Sequence, residues 1–135
     1  MNRRHTNGFS LIELIVVVGI IGILAAVSLA FYGNYIISAN RTDGRSALTG
    51  TSASLEKCKA LYANYNSANC NVAFPVTSDK GLYSVAATAI AGATFTLTAT
   101  PVAGGAQAAD TDCTSLTLTN TGIEGGTGAD VTACW

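Results

Sequence analysis

The chain has 135 residues, of which 49% are hydrophobic and only 11% are charged, with seven Lys and Arg against eight Asp and Glu. This composition is too apolar and too weakly charged for an intrinsically disordered protein. A net charge of −1 argues against a nucleic-acid-binding protein with a broadly basic surface, since many Lys and Arg residues supply non-specific affinity. The single histidine, His5, nearly excludes catalytic triads and metal sites that need imidazole.

The chain begins with a short basic leader followed by a long apolar run. Arg3 and Arg4 are the only charges of the leader, and the segment from Leu14 to Tyr32 carries none. A helix of about 20 residues spans the roughly 30 Å hydrocarbon core of a bilayer. The positive-inside rule places the leader in the cytoplasm and the C-terminal part outside. We therefore predict a retained membrane helix, with cleavage at Ala25-Ala26, as in an ordinary signal peptide, as the alternative.

Glu13 interrupts the apolar sequence near its start. An unpartnered carboxylate within a membrane costs several kcal/mol, so such residues usually have a function. The residue could instead mark a helix N-terminus at the level of the lipid headgroups, where the helix dipole favours a negative charge. Taken alone, Glu13 slightly favours this second interpretation.

The surrounding string, Gly8-Phe9-Ser10-Leu11-Ile12-Glu13-Leu14, closely resembles the N-terminal motif of type IV pilins and their pseudopilin relatives. The resemblance implies that a membrane-embedded prepilin peptidase cleaves between Gly8 and Phe9 and then N-methylates Phe9. It also implies that Glu13 pairs with the N-terminal amine of a neighbouring subunit during filament assembly. Opposite charges buried together in a helix bundle offset the desolvation that either charge alone would suffer.

Two positions depart from the usual pilin pattern. Asn7 precedes the cleavage glycine where many members have lysine, and Ala30 stands where many have proline. Proline removes a backbone donor and kinks a helix. With alanine here, the resemblance gives no reason to expect that kink.

The rest of the chain predicts a small α+β domain. Its helical part is expected to continue to about Tyr65, because six residues recur at the spacing of a helix face that packs on a sheet. These residues are Leu48, Thr51, Leu55, Cys58, Tyr62 and Tyr65. Strand-like patterns cover Gly81–Ala89, Thr94–Thr100 and Thr114–Thr119, with Asp130–Trp135 as a candidate fourth strand. A long N-terminal helix followed by an antiparallel β-meander is the pilin fold that the motif implies.

These features divide the chain into three predicted segments. Residues 1–8 form the prepilin leader and residues 9–37 form the apolar helix for the membrane and the filament core. Residues 38–135 form the extracytoplasmic head, which contains the second half of the helix and the sheet.

All four cysteines follow the apolar run, on the side predicted to be outside, where disulfides form. Four cysteines allow three pairings, and we predict Cys58–Cys70 and Cys113–Cys134. The first would tie the helix end to the loop before the sheet. The second would close the C-terminal segment, as the terminal disulfide does in many pilins. Zinc is disfavoured because the sequence has no C-x-x-C spacing and no histidine downstream of the apolar run.

The remaining charged residues suggest no cofactor or metal. Four acidic residues could suggest calcium, but they lack a twelve-residue ligand loop and are interpreted as exposed polar loops; they are Asp110, Asp112, Glu124 and Asp130. Four basic residues are interpreted as a solvated helix face, although a DNA-uptake pilin could use such a strip; they are Arg41, Arg45, Lys57 and Lys59.

The leading hypothesis is a structural subunit of a type IV pilus and not an enzyme. The C-terminal half, with Tyr83, the Ala99-Thr100-Pro101 turn and Cys134-Trp135, resembles PilE-type minor pilins. Implied partners are other pilin subunits, the prepilin peptidase and the pilus assembly platform. The subunit would start in the bacterial inner membrane and end in the extracellular pilus, with roles in motility, adhesion or DNA uptake.

Two alternatives stay open. A type II secretion pseudopilin shares the N-terminal anatomy, and the paired terminal cysteines count modestly against it. A DNA-binding competence pilin is the other alternative. It is not favoured, because loss of Arg3 and Arg4 with the leader leaves an acidic excess.

Overall fold

The computed structural model describes residues 9–135, except for the side chain of Ala30. The predicted leader, with the cleavage residue Gly8, lies outside the described residues. Helix α1 (Leu11–Tyr62) is followed by five strands and two short 3₁₀ helices. The strands are β1 (Val76–Thr77), β2 (Tyr83–Ile90), β3 (Phe95–Pro101), β4 (Ser115–Thr119) and β5 (Glu124–Thr127). The 3₁₀ helices are Ala106–Ala109 and Val131–Cys134. The predicted α+β architecture is confirmed.

The described chain separates into two compact units, which divide between Tyr35 and Ile36. In the first unit, α1 is continuous through Ala30, and its large apolar side chains are exposed, from 44% at Val17 to 81% at Phe9. By length and composition, α1 could cross a membrane. This half of α1 therefore presents an apolar surface that the first unit does not cover.

The second unit contains the C-terminal half of α1 and one sheet. The strand order of the sheet is β1-β2-β3-β4-β5, and each strand is antiparallel to the next. The Thr/apolar alternation of β3 buries Phe95, Leu97 and Ala99 and turns the threonines to the other face. On β4, Leu118 and Leu116 pair with Leu97 and Ala99. These side chains form one hydrophobic core with the helix residues Leu48 and Leu55.

Gly44 lets α1 approach the sheet closely. A Cβ atom at this position would lie 2.9 Å from Leu116 Cδ1 and 3.0 Å from two atoms of the Tyr83 ring. Arg41, Gly44, Leu48, Thr51 and Leu55 continue one helix face at three- and four-residue spacing, and all five are buried. Side-chain atoms of the sheet therefore occupy the space that a side chain at Gly44 would need.

Three details differ from the sequence-based expectations. The fourth strand predicted at Asp130–Trp135 is wrong: this segment forms a 3₁₀ helix, in which the Asp130 carboxylate accepts a hydrogen bond from Thr132 N. The strand next to β4 is instead β5. The sequence pattern did not predict it, because two of its four residues are glycines and glycine is rare in strands. A Cβ atom at Gly126 would lie 2.8 Å from Cys134 Sγ, so the C-terminal 3₁₀ helix leaves no room for a side chain at this position.

The core stripe is correct at five of its six residues. Tyr62, at the end of α1, is 44% exposed and lies outside the core. Tyr65 is buried although it follows the helix, and its ring packs edge-on against Phe95 at 4.9 Å between centroids. Helix α1 ends at Tyr62 and Ala63 has a positive φ of 58°, so helical spacing does not apply to Tyr65, whose N–H donates to Gly92 O.

Two glycine substitutions in α1 test the close approach of helix and sheet. We expect Gly44→Ala to lower the free energy of unfolding by about 1–3 kcal/mol, because the Tyr83 ring and Leu116 must shift. Gly50→Ala is the matched control, since no atom lies within 4 Å of its added Cβ. It should raise stability by up to about 1 kcal/mol through helix propensity. Urea titration followed by Trp135 fluorescence measures both, and equal effects would contradict the packing described.

Candidate functional site

Two residues of the N-terminal motif, Phe9 and Glu13, lie at the start of α1. Phe9 precedes the helix and is exposed, and Glu13 lies in the first helical turn, four residues further on. Leu14 N donates to Ser10 O at 3.2 Å, which extends the helical hydrogen bonding back to Ser10. Among the residues described, no basic side chain forms an ion pair with Glu13. Within residues 9–135, the Glu13 carboxylate therefore has no ion-pair partner, and it lies four residues after Phe9, where cleavage would create an amine.

The head contains a second charged site, in which Arg41 of α1 binds Asp110. Arg41 Nε and Nη2 donate to the two carboxylate oxygens of Asp110, each at 2.7 Å. Arg41 is 5% exposed and Asp110 is 3% exposed. This bidentate geometry matches the planar guanidinium to the carboxylate and is among the strongest pairings that proteins use.

Asp110 also receives two further hydrogen bonds. Gln107 Nε2 donates to Oδ2 at 3.0 Å, and Cys113 N donates to Oδ1 at 3.0 Å. The same Gln107 amide nitrogen donates to Ile37 O at 3.1 Å, near the start of the second unit. With four donors on one carboxylate, both oxygens are satisfied, which is the condition for burying a charge at low cost.

Two arginines of α1 also hold the C-terminal 3₁₀ helix. Arg41 Nη1 donates to Ala133 O at 2.9 Å, and Arg45 Nε donates to Cys134 O at 2.8 Å. Trp135 follows and donates from Nε1 to Gly125 O at 2.6 Å, on the edge strand β5. The last residues of the chain are thus fixed to both α1 and the sheet. We call the Arg41–Asp110 pair, with Arg45 and Gln107, the arginine clamp.

The clamp changes the ionisation of its members. Burial by itself raises the pKa of the Asp110 carboxyl, but the Arg41 guanidinium and the N–H of Cys113 outweigh burial and bring that pKa below its usual value. The hydrogen bond to Asp110 raises the pKa of Arg41. Both groups are therefore charged throughout the physiological pH range.

Two disulfides lie at different places in the head. Cys113 is bonded to Cys134, and Cys58 at the end of α1 is bonded to Cys70 in the following loop. Near the Cys58–Cys70 disulfide, the Tyr65 hydroxyl donates to Glu56 Oε1 at 2.7 Å. This hydrogen bond, with burial, raises the pKa of Tyr65. Lys59 Nζ lies 4.5 Å from the centre of the same ring.

The predicted solvated basic face is wrong in part. Arg41 is buried in the clamp, Arg45 is occupied with backbone carbonyls, and Lys59 covers Tyr65. Of the four, only Lys57 is exposed. Asp110, predicted to lie in an exposed loop, is buried because Arg41 neutralises it.

Sequence reasoning missed the clamp, although one signal was present. Arg41 and Gly44 extend the core stripe of α1 by one turn at its own spacing. An arginine on an apolar stripe predicts a buried acidic partner, because burial without one is too costly. The partner itself, Asp110, lies too far along the chain to be identified from spacing. Within residues 9–135, no cluster of His, Cys, Asp or Glu could hold a metal ion.

Acid denaturation tests the clamp through Asp110. Since the folded pKa of Asp110 is lowered, its stabilising contribution is present above the unfolded pKa of about 3.9 and is lost as pH falls through the folded value. We expect Asp110→Asn to cost about 2–4 kcal/mol at pH 7, because it leaves Arg41 buried with a weaker partner. The cost should begin to shrink as pH falls below the unfolded pKa and should be smallest below the lower folded pKa of Asp110, where the wild-type carboxyl is also neutral.

Urea unfolding at several pH values between 7 and 2 measures this difference. Asp112→Asn is the matched control: Asp112 lies 3.8 Å from Arg41, but its side chain is 60% exposed. Solvent screening should keep the effect of the control below about 1 kcal/mol. Equal losses in both variants would contradict the role assigned to Asp110.

Known protein families match the chain in two regions. The family model described as "Type IV minor pilin ComP, DNA uptake sequence receptor" matches residues 30–117. The model described as "Prokaryotic N-terminal methylation motif" matches residues 3–29, which contain the cleavage motif. Together the two models cover both the apolar run and most of the head.

Individual relatives agree with these models. A fimbrial protein of Moraxella nonliquefaciens is 33% identical over 91 residues, with 54% of this chain and 59% of the relative covered. The type IV major fimbrial protein FimA of Dichelobacter nodosus is 36% identical over 86 residues, with 59% of this chain and 51% of the relative covered. The chain thus spans between half and three fifths of the length of these curated relatives.

A solved structure supports the fold. The non-core minor pilin PilV of Neisseria meningitidis superposes with a TM-score of 0.57 at 16% identity, covering 70% of this chain and 89% of PilV. The resemblance to pilins drawn from the N-terminal motif is confirmed by the family models. With its methylation motif and a matched region that includes most of the head, the chain belongs to the type IV minor pilin family.

Proposed function

We propose that the chain is a structural, non-catalytic subunit of a type IV pilus, present as a minor component. The observation that carries this proposal is the contrast within α1. Its N-terminal half exposes apolar side chains along the whole first unit, whereas its C-terminal half is buried in a head with its own core. An uncovered apolar helix next to a self-sufficient head suits a subunit that is held first by lipid and then by other helices.

Maturation follows from the N-terminal motif. A prepilin peptidase cleaves after Gly8 on the cytoplasmic side of the inner membrane and methylates the new terminus at Phe9. The remaining helix keeps the subunit in the membrane as a single span until the assembly platform transfers it to the filament. Family membership supports each of these steps, and the methylation model covers the residues concerned.

Assembly would pair Glu13 of one subunit with the amine at Phe9 of the next. Phe9 directly precedes the exposed apolar helix and Glu13 lies in its first turn, so each charge loses hydration when helices bundle. Because donor and acceptor sit at different positions on each subunit, the contact is heterologous. A heterologous contact whose rotation does not close into a ring generates an open helical filament, which is the assembly proposed here.

Substitution of Glu13 tests the pairing. Removing one partner of a desolvated pair costs about 3–5 kcal/mol, so we expect Glu13→Gln and Glu13→Ala to reduce incorporation into pili by about tenfold or more. Cleavage after Gly8 should stay largely normal, because the scissile bond is untouched. Immunoblots of sheared pili and of membranes, with mass spectrometry of the mature N-terminus, give both quantities.

The matched control is Glu124→Gln, which removes an exposed carboxylate from β5 in the head. It should be incorporated like the wild type. Normal incorporation of both Glu13 variants would sink the pairing. A secretion defect with intact pili after gene deletion would instead support the pseudopilin alternative, which the family match does not favour.

DNA recognition by the head is a second candidate function. The observation that favours it is the match to the family of the minor pilin ComP, which is described as a DNA uptake sequence receptor. The structure limits how such binding could work. Arg41 and Arg45 are engaged in the clamp, and Lys59 is half-buried over Tyr65. Among residues 9–135, this leaves Lys57 and Lys80 as the exposed basic side chains that a phosphate could approach.

Lys57 is the better placed of the two. It lines a cavity of about 300 Å³ together with Tyr62, Asn69 and Asn71. Amide and aromatic side chains next to a lysine are groups that contact bases and phosphates. Lys80 instead follows Asp79, and its backbone N–H donates to the Asp43 carboxylate. These two acids oppose an approaching phosphate.

Salt titration of DNA binding tests this candidate with the full-length chain in detergent micelles. Each phosphate contact contributes about 0.9 to the slope of log K against log salt. With two exposed lysines and the half-buried Lys59 in the head, we expect a slope of at most about 3 and a decrease of about 1 in Lys57→Ala. Lys80→Ala is the control and should keep the wild-type slope. Absence of binding at low salt would end the DNA proposal without affecting the pilus proposal.

A further inference from the structure

The backbone at both cysteines of the C-terminal disulfide is held by the Arg41–Asp110 ion pair together with Arg45. On one side, Asp110 Oδ1 accepts the hydrogen bond from Cys113 N at 3.0 Å. On the other side, Arg41 Nη1 binds Ala133 O and Arg45 Nε binds Cys134 O. Asp110 and Arg41 bind each other through two hydrogen bonds. A continuous set of charge-assisted hydrogen bonds therefore connects the backbone of Cys113 to that of Cys134 without passing through sulfur.

We propose that the arginine clamp is the template on which the Cys113–Cys134 disulfide closes. The half-cystines are 21 residues apart in sequence. In an unfolded chain, the two ends of a loop of this length come together rarely. When α1 carries Arg41 and Arg45 into contact with Asp110 and the last carbonyls, both cysteines are brought to one place before any bond forms. The clamp raises the effective concentration of one thiol at the other.

The chemistry needs an external oxidant, for which a small-molecule disulfide such as oxidised glutathione suffices. The thiolate of one cysteine attacks a sulfur of oxidised glutathione, forms a mixed disulfide and releases one glutathione thiolate. The thiolate of the second cysteine then attacks the protein sulfur of the mixed disulfide and releases the second glutathione. The two cysteines lose two protons and two electrons, and oxidised glutathione becomes two reduced molecules. The clamp acts on the second step, in which the two protein sulfurs must meet.

The other disulfide provides an internal comparison. Cys58 and Cys70 lie at the far end of the helical part of the head, about 25 Å along α1 from Arg41 at 1.5 Å per residue. Their nearest polar contacts are the carbonyls of Asn64 and Tyr65, and no clamp residue contacts them. Formation of Cys58–Cys70 should therefore be independent of the clamp, as long as the head folds.

The proposal also assigns a consequence to oxidation. By linkage, a clamp that favours the disulfide must itself be strengthened by the disulfide to the same extent. The C-terminal segment, with the Trp135 contact to Gly125 O on β5, would then be fixed in place only after export to an oxidising compartment. Arg41 and Arg45 would bind this segment more weakly in the reduced chain.

Redox titration of the full-length chain in detergent micelles tests the proposal. The reduced protein is equilibrated over a series of glutathione ratios, free thiols are alkylated, and each cysteine pair is quantified by mass spectrometry of its peptides. Since couplings between linked equilibria typically amount to 5–150-fold, we expect Asp110→Asn to lower the effective concentration of Cys113–Cys134 by about tenfold or more. Cys58–Cys70 should stay within about twofold of the wild type.

A milder variant keeps the test decisive if Asp110→Asn prevents folding. Arg45→Ala removes the hydrogen bonds to Cys134 O and Ala133 O and leaves the Arg41–Asp110 pair intact. We expect it to lower the value for Cys113–Cys134 by about threefold to fivefold and to leave Cys58–Cys70 unchanged. No change in the first pair, or an equal fall in both pairs, would overturn the template role, because a general loss of stability affects both.

Hydrogen exchange provides the reciprocal measurement. Replacing Cys113 and Cys134 by serine should accelerate exchange of the Arg41 Nε–H by the factor measured in the redox titration. Replacing Cys58 and Cys70 by serine is the matched control and should leave that exchange unchanged. Equal exchange in the two double variants would also overturn the proposal. None of these readouts depends on pilus assembly or DNA binding.

Discussion

The buried pairing of Arg41 with Asp110 is the interaction on which the rest of the head depends. An arginine and a carboxylate can be buried only together, because either one alone would retain an uncompensated charge in the interior. Arg41 comes from the helix and Asp110 from the connection between β3 and β4, so their pairing fixes how the helix and the sheet meet. The C-terminal residues then bind to the donors of Arg41 and Arg45 that Asp110 leaves free.

The head is small, and its core is reinforced at both ends. Leu48 and Leu55 fill the middle of the helix–sheet contact. The arginine clamp and Cys113–Cys134 close one end, and Cys58–Cys70 closes the other. A domain of about 100 residues buries a modest fraction of its surface, which is why covalent bonds add usefully to its stability. Gly44 contributes by allowing the helix to lie directly against Tyr83 and Leu116.

The two halves of α1 meet opposite requirements with one continuous helix. Before Tyr35 the side chains are apolar on every face, as is typical of a helix surrounded by lipid or by other helices. After Ile36 one face carries the core and the other is polar. The pilin family uses this combination for subunits that are stored in a membrane and built into a filament, and family membership is the basis on which we assign that use here. Glu13 has no ion-pair partner among residues 9–135, and the proposed pairing gives this carboxylate a role that an inert membrane anchor would not need.

The sequence by itself determined the features that depend on local pattern. The apolar run, the cleavage motif around Phe9, the helix face from Leu48 to Cys58 and the strands rich in threonine all follow from composition or from spacing over a few residues. The last strand was not predictable in this way. Its two glycines lack strand propensity, and they are required because Cys134 and Thr117 occupy the space above them.

Only the tertiary structure decided the roles of the charged residues. Arg41 and Lys57 both lie on α1, yet Arg41 is buried and Lys57 is exposed. The difference comes from Asp110, 69 residues away from Arg41, and from carbonyls at the end of the chain. Burial of a charge depends on whether an opposite charge reaches it through the fold, and short-range sequence patterns contain no information about such distant partners.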